Sequence, residues 1–274
     1  LNNKKINIEN CKNIEELSLS KYKIDILIDS SGVNFTKKKY LKLLRNEKLK
    51  KIIVTHSSPH SDVEIIMGLN DNKLKKNLNI ISSSICDANA ISHIIQFIDN
   101  NFKIISGNVT TLHPWLSYQN LVDGSSLSVS NPSVVWDDYA LGRASANNII
   151  PKNTTAVKAI EKVLPKIKNK LSSFSYRTPT DIVCSADLTF FIEKKTNLSN
   201  LKKKLITHFS NSKYYHINND SLVSIDYKRM SQSFSIDMKW IKVNKNMIKI
   251  ILWYDNEWGF SSRVYDLIKK LSLK

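Results

Sequence analysis

The sequence predicts an α/β fold in two parts. A parallel sheet built from strand–helix–strand units comes first, and an α+β part follows, with a mixed or antiparallel sheet and helices on one face. Three observations predict it. Two apolar runs suited to buried strands, Ile24-Asp25-Ile26-Leu27-Ile28 and Lys51-Ile52-Ile53-Val54-Thr55, flank a lysine-rich helical stretch over 36–45; strand, helix, strand with short links describes a parallel βαβ unit. A third apolar run, Leu78-Asn79-Ile80-Ile81, stops in Ser82-Ser83-Ser84, after which Ile91, Ile94, Ile95 and Ile98 share one helical face over 90–98. Residues 173–253 then read mostly as strands, and strand runs without alternating helices point to a mixed or antiparallel sheet.

In chain order, the first strand ends in Asp29-Ser30-Ser31-Gly32-Val33, where a glycine lets the backbone turn sharply or approach a ligand. Ligands of parallel sheets sit at the carboxyl ends of strands, here residues 30–32 and 55–58. The glycine-rich fingerprint G-x-G-x-x-G is absent. A β-prone run ends in Thr110-Thr111-Leu112-His113, and residues 114–143 follow as a long irregular segment with turn signals at Asp123-Gly124 and Asn131-Pro132. A segment of that length in a compact domain is usually functional. Asn153-Thr154-Thr155 reads as a helix cap before a helix over 156–164. Strands are expected over 173–178, 181–191, 221–226, 233–236 and 247–253, with one helix over 198–209 and an amphipathic helix at the C-terminus.

Composition narrows the function classes. The 274 residues are enough to bury a real core. No apolar run approaches the roughly 18 residues of a membrane span, so no membrane association is expected. Cys11, Cys86 and Cys184 are odd in number and far apart, which argues for a reducing, cytoplasmic setting rather than a disulfide framework. The net charge of +17 invites a nucleic-acid reading. Against it, arginine is scarce (Arg45, Arg143, Arg177, Arg229, Arg263), and arginine forks usually carry specific phosphate and base recognition. A lysine-rich solvated surface is the reading favoured, without a nucleic-acid partner. No metal site is expected.

The candidate chemistry lies at Ile85-Cys86-Asp87. The sulfur of Cys86 stands at the start of a helix, where unpaired N–H groups and the helix dipole favour the thiolate. Alone, such a cysteine is more often a small core residue. His113 offers an imidazole able to act as base for a thiol and as acid for a developing oxyanion.

The closing motif Trp253-Tyr254-Asp255-Asn256-Glu257-Trp258-Gly259-Phe260-Ser261, followed by Ser262-Arg263-Val264-Tyr265-Asp266-Leu267, closely resembles the signature that closes glyceraldehyde-3-phosphate dehydrogenases. Further resemblances fall in family order over nearly the whole chain: residues 25–33 and 50–55, Met67-Gly68-Leu69-Asn70, Ile149-Ile150-Pro151 with Thr154 and Lys158, Arg177-Thr178-Pro179-Thr180 with Asp187-Leu188-Thr189, and Leu222-Val223-Ser224 with Asp226 and Asp237. The resemblance implies that Cys86 is the nucleophile and His113 its acid/base partner, holding Cys86 as a thiolate in an ion pair. An aldehyde would be oxidised through a cysteine thioester, with hydride passing to the nicotinamide of NAD; NADP stays open. Asn256 and Thr55 fall on cofactor-binding positions, and Thr154 and Arg177 on substrate-phosphate positions.

It also implies a truncated Rossmann-type parallel sheet over 1–85, a catalytic domain over 86–256, and a helix over 257–274 packing back on the first. The expected partners are a small-molecule aldehyde, phosphorylated or not, and further copies of the chain in a tetramer.

Three departures qualify the expectation. The opening βαβ of the family, with its pyrophosphate loop, is expected to precede Leu1, so that the chain starts roughly 65 to 70 residues into the pattern, about two βαβ steps. The family's Ser-Cys-Thr-Thr-Asn reads Ile85-Cys86-Asp87-Ala88-Asn89, where Asp87 should raise the Cys86 pKa or serve as an ordinary first-turn helix carboxylate. Leu116 and Tyr118 stand where the family has threonines that hold the substrate phosphate, and the 114–143 loop, which in the family lines the cofactor site across the tetramer core, is longer than usual. Two alternatives follow: a divergent paralogue that oxidises another aldehyde without phosphate, or a decayed member acting as a basic binding or scaffold protein.

Overall fold

A computed structural model describes residues 5–11, 14–16, 19–33, 35–116, 119–124 and 139–272. The chain forms two compact units, residues 1–64 with 73–83 and residues 65–72 with 84–274.

The smaller unit contains β1 (Ile26–Asp29), α1 (Lys37–Asn46), β2 (Lys51–Val54), β3 (Val63–Glu64) and β4 (Ile80–Ser82). Its sheet runs β1-β2-β4-β3, with every pairing parallel. The predicted βαβ unit is therefore present. Ile52, Ile53 and Val54 are fully buried, as expected of an internal parallel strand covered on both faces. Thr36, expected inside the helix, instead caps it by accepting the Lys39 N–H at 3.4 Å. Tyr40 anchors α1 by donating to the buried Asp29 Oδ2 at 2.7 Å. Asp62 accepts the N–H groups of Asn79 and Ile80, each at 3.0 Å, together with Lys37 Nζ at 2.8 Å, fixing the entry to β4.

The larger unit contains α2 (Cys86–Phe102), β5 (Ile104–Pro114), β6 (Ile150–Lys152), α3 (Ala156–Val163), β7 (Leu171–Thr178), β8 (Cys184–Ile192), α4 (Leu198–Phe209), β9 (Tyr215–Asn218), β10 (Phe234–Asp237), β11 (Lys242–Asn244), β12 (Met247–Tyr254) and α5 (Trp258–Ser272). Among the described residues eight strands form a mixed sheet in the order β6-β7-β5-β8-β12-β10-β9, with β11 on β12. β5 and β7 are parallel, while β5 and β8, and β8 and β12, are antiparallel. The mixed sheet matches the fold class read from the sequence.

Burial alternates along β12, with Ile248, Ile250, Leu252 and Tyr254 inward. On that inner face lies α2, whose Ile91, Ile94, Ile95 and Ile98 are all fully buried in one cluster with Leu188 and Phe190 of β8 and Leu201 and Leu205 of α4. Each such side chain contributes about 1.5–3 kcal/mol of transfer free energy.

One expectation is corrected. The strand expected over 221–226 is a single 3-10 turn, Ser224–Tyr227. Asp226 Oδ2 takes the Val223 N–H at 2.8 Å, and Val223 and Ile225 face solvent, so the alternation there buries nothing. In its place Tyr215–Asn218 pairs with β10, a strand its Tyr-His-Ile-Asn composition hid. In the 114–143 segment the described parts are stitched together by Gly124 N–H to Gly142 O at 3.0 Å and Ser145 N–H to Asn120 O at 2.9 Å. Tyr118 and the Asn131-Pro132 turn lie outside the described residues.

Candidate active site

Five side chains meet in the larger unit where α2 begins on the sheet. Strand register builds most of the meeting. His113 on β5 lies opposite Arg177 on β7, Arg177 lies opposite Ile150 on β6, and Cys184 on β8 lies opposite Tyr254 on β12. Cys184 Sγ and His113 Nδ1 are 3.1 Å apart, which closes the row across the sheet. Ser84, at φ +61°, turns the chain sharply into α2, with Ile85 as cap residue and Cys86 and Asp87 in the first turn.

Asp87 is the hub. Its Oδ1 accepts from His113 Nε2 at 2.9 Å, from the Tyr254 hydroxyl at 2.8 Å and from the Cys86 thiol at 3.5 Å. Burial opposes its ionisation, yet the imidazole and these donors hold the carboxyl down at about 2. The expectation that Asp87 is an ordinary first-turn carboxylate is corrected, since it is buried and turned into the sheet. Tyr254 is pushed well above a phenol's usual pKa by burial and by Asp87, so it remains an O–H donor. With Asp87 ionised, Nε2 carries a hydrogen, and Nδ1 lies 3.1 Å from the Cys184 thiol, itself held protonated by burial.

The structure does not bring the expected Cys86–His113 ion pair into direct contact. Both ring nitrogens are taken, one by Asp87 and one by Cys184, and the hydrogen bond of the half-buried Cys86 thiol goes to the Asp87 carboxylate. Burial and the Asp87 charge push the Cys86 thiol well above its ordinary pKa. The dipole at a helix start favours an anion by about 0.3–1 kcal/mol. A full charge about 4 Å away opposes it by about 4 kcal/mol at an effective dielectric near 20. The carboxylate wins, and the thiol rests protonated.

Of the other candidates, Arg177 is buried, and its Nη1 donates to Pro114 O at 3.1 Å. Lys152 on β6 shares that sheet face by register and is held below its usual pKa by burial and by the Arg177 charge, with Asp87 and Cys86 pulling the other way. Thr154 Oγ1 accepts the Ala156 N–H at 3.1 Å, while the helix cap position falls to Thr155, which makes no side-chain cap bond. Leu116 N–H donates to Gln119 Oε1 at 2.9 Å.

Asn256 sits in a turn clamped by Asp255. That carboxylate accepts the N–H groups of Glu257 at 3.0 Å, Trp258 at 2.7 Å and Arg229 at 2.7 Å. Among the described residues Asn256 Oδ1 is buried without a hydrogen-bond partner. Thr55 belongs to the smaller unit, where its hydroxyl donates to Asp29 O at 3.3 Å.

The sequence reading missed Cys184, Tyr254 and Lys152 as members of the cluster. Alternation along a strand could have turned Tyr254 inward, but nothing local ties Cys184 to a histidine 71 residues away.

Comparison with known proteins agrees over most of the chain. Residues 85–256 match the family described as glyceraldehyde 3-phosphate dehydrogenase, C-terminal domain. A cytosolic glyceraldehyde-3-phosphate dehydrogenase of Mesembryanthemum crystallinum is 36% identical over 96% of this chain and 75% of its own length. Those of Ranunculus acris and Sinapis alba are each 34% identical over 98% of this chain and 77% of their own length. The chain belongs to the glyceraldehyde-3-phosphate dehydrogenase family of oxidoreductases.

Proposed function

We propose that this protein oxidises an aldehyde through a thioester on Cys86, using NAD or NADP. The observation that carries the reading is the Cys86 thiol in contact with the Asp87–His113–Tyr254 cluster, at the position where the family resemblance puts the nucleophile. A nucleophile, a carboxylate and an imidazole in one hydrogen-bonded chain are the parts that adding a thiol to a carbonyl and moving its proton require.

The residues fit the amide end of the cofactor. Asn256 Oδ1, buried and unsatisfied, needs an N–H donor, and a primary carboxamide supplies one. When bound, NAD(P) supplies the oxidised nicotinamide that accepts hydride. Asn256 orients that ring through its carboxamide, and Asp255 keeps Asn256 in place. Thr55 is assigned to cofactor binding, and Thr154 and Arg177 to the substrate side, by resemblance. The unit holding the thiol cluster is assigned to catalysis, and the parallel sheet of the smaller unit to cofactor binding.

The relatives compared above are named as cytosolic enzymes, and on that resemblance we place the protein in the cytosol. A homo-oligomer, tetrameric by family resemblance, is supported by the outer face of the larger sheet, where Leu112, Phe174 and Phe191 are 36%, 38% and 41% exposed.

Reduction of NAD(P) by the full-length protein with glyceraldehyde 3-phosphate and other aldehydes tests the reading. Cys86→Ser should abolish it, and turnover that survives Cys86→Ser refutes it. A second reading, release of the acyl group to water rather than phosphate, is favoured by the ionised Asp87 3.5 Å from the sulfur. A saturable phosphate requirement would exclude that one.

A further inference from the structure

We propose that Asp87 is a further catalytic residue of this reaction, the group that takes the thiol proton as the carbon–sulfur bond forms. The inference deepens the function proposed above and rests on it. His113, the residue expected to do this work, presents neither ring nitrogen to Cys86: Asp87 holds Nε2 at 2.9 Å and Cys184 holds Nδ1 at 3.1 Å. The Cys86 thiol donates to Asp87 Oδ1 at 3.5 Å, the side-chain acceptor beside it, while the Asp87 backbone N–H points at the sulfur. The same oxygen accepts from Tyr254 at 2.8 Å, so two donors besides the thiol keep the carboxylate ionised and aimed. Asp87 and the side chains donating to it come from the first turn of α2 and from β5 and β12, and Lys152 and Arg177 supply positive charge around the Cys86–Asp87 pair.

The step balances. The S–H bond breaks, sulfur bonds to the aldehyde carbon, and the carbonyl π pair moves onto oxygen. The proton passes through Asp87 to that oxygen, leaving a neutral hemithioacetal and nothing oxidised or reduced. Before addition the thiol is a far weaker acid than the carboxyl, so the proton stays on sulfur. Its acidity rises steeply as the carbon–sulfur bond forms, and a positioned base acts at that moment. His113 then serves as a positioning residue that holds the carboxylate, rather than as the partner of a preformed thiolate.

The test compares full-length wild type with Asp87→Asn in two assays: alkylation of Cys86 by iodoacetamide, followed by mass spectrometry, and aldehyde-dependent cofactor reduction. Alkylation near neutral pH should speed up about tenfold or more, because the charge that keeps the sulfur protonated is gone. Over the same change kcat/KM should fall about a hundredfold, because the base is gone. A merely structural role would lower both rates together, and a thiolate-limited enzyme would raise both; either result overturns the proposal, as does unchanged turnover. Alkylation of the buried Cys184 would reveal a variant that has failed to fold. In that event Asp87→Ala is assayed with added formate, which should restore turnover saturably, and no gain with formate overturns the proposal. If no aldehyde is turned over by any form, the proposed function falls first and the role of Asp87 with it. Normal turnover in Asp87→Asn removes the role alone.

Discussion

Asp87 should make the larger unit acid-sensitive in a way a single substitution removes. Its carboxyl is held at about 2 in the fold, against about 3.9 in an unfolded chain. A difference of nearly two units corresponds to about 2–3 kcal/mol of stability from this one group. A depressed folded pKa means the contribution is fully present above the unfolded value and is lost as pH falls through the folded one. The window therefore runs from about pH 4 down to about pH 2, and near pH 3 about half of the contribution remains. Asp87→Asn cannot titrate, so the stability gap between wild type and variant should shrink by about 1 kcal/mol between about pH 7 and pH 3. Urea unfolding followed by tryptophan fluorescence reads this in the right place, since Trp115, Trp240, Trp253 and Trp258 belong to the larger unit. A gap that stays flat across the window would show that the carboxyl is not held ionised by His113 and Tyr254, and the account of the site would fail with it.

Other expectations follow from neighbouring features. Cys184→Ala leaves His113 Nδ1 buried without its partner and should cost about 1–3 kcal/mol in urea unfolding, whereas Cys184→Ser keeps a hydrogen-bonding atom and should cost clearly less. Gly107→Ala places a methyl 2.5 Å from the Thr189 carbonyl oxygen across the β5–β8 pairing. Because backbone must move to admit it, about 1–3 kcal/mol of stability should be lost, and a wild-type denaturation midpoint would contradict the register. Charged substitution of Phe174 and Phe191 on the outer sheet face should shift the protein to smaller species in sedimentation while leaving the monomer folded; unchanged sedimentation would count against an interface there.

Periodicity carried much of the fold. The helix over 198–209 and the apolar stripe of α2 are where local spacing puts them, because both bury a continuous face of one element. The strand at Tyr215–Asn218 escaped because a short pairing strand with polar alternate residues has no apolar signature of its own, and 221–226 misled because its exposed valine and isoleucine mimic one. At the site, Cys86 at a helix start was legible, and so was the electrostatic opposition of Asp87. That Asp87 would claim the imidazole was not. Its direction depends on where β5, β8 and β12 fall in register, a property of long-range pairing with no trace in local spacing.

The single oxygen shared by three donors has an evolutionary corollary. Helix start, fifth strand, eighth strand and twelfth strand each contribute one member of a closed ring of contacts, so none can drift alone without stranding a neighbour in the dry interior. Positions 87, 113, 184 and 254 should therefore be inherited as a set, with kin that lack the acid at 87 carrying a different residue at 184 as well.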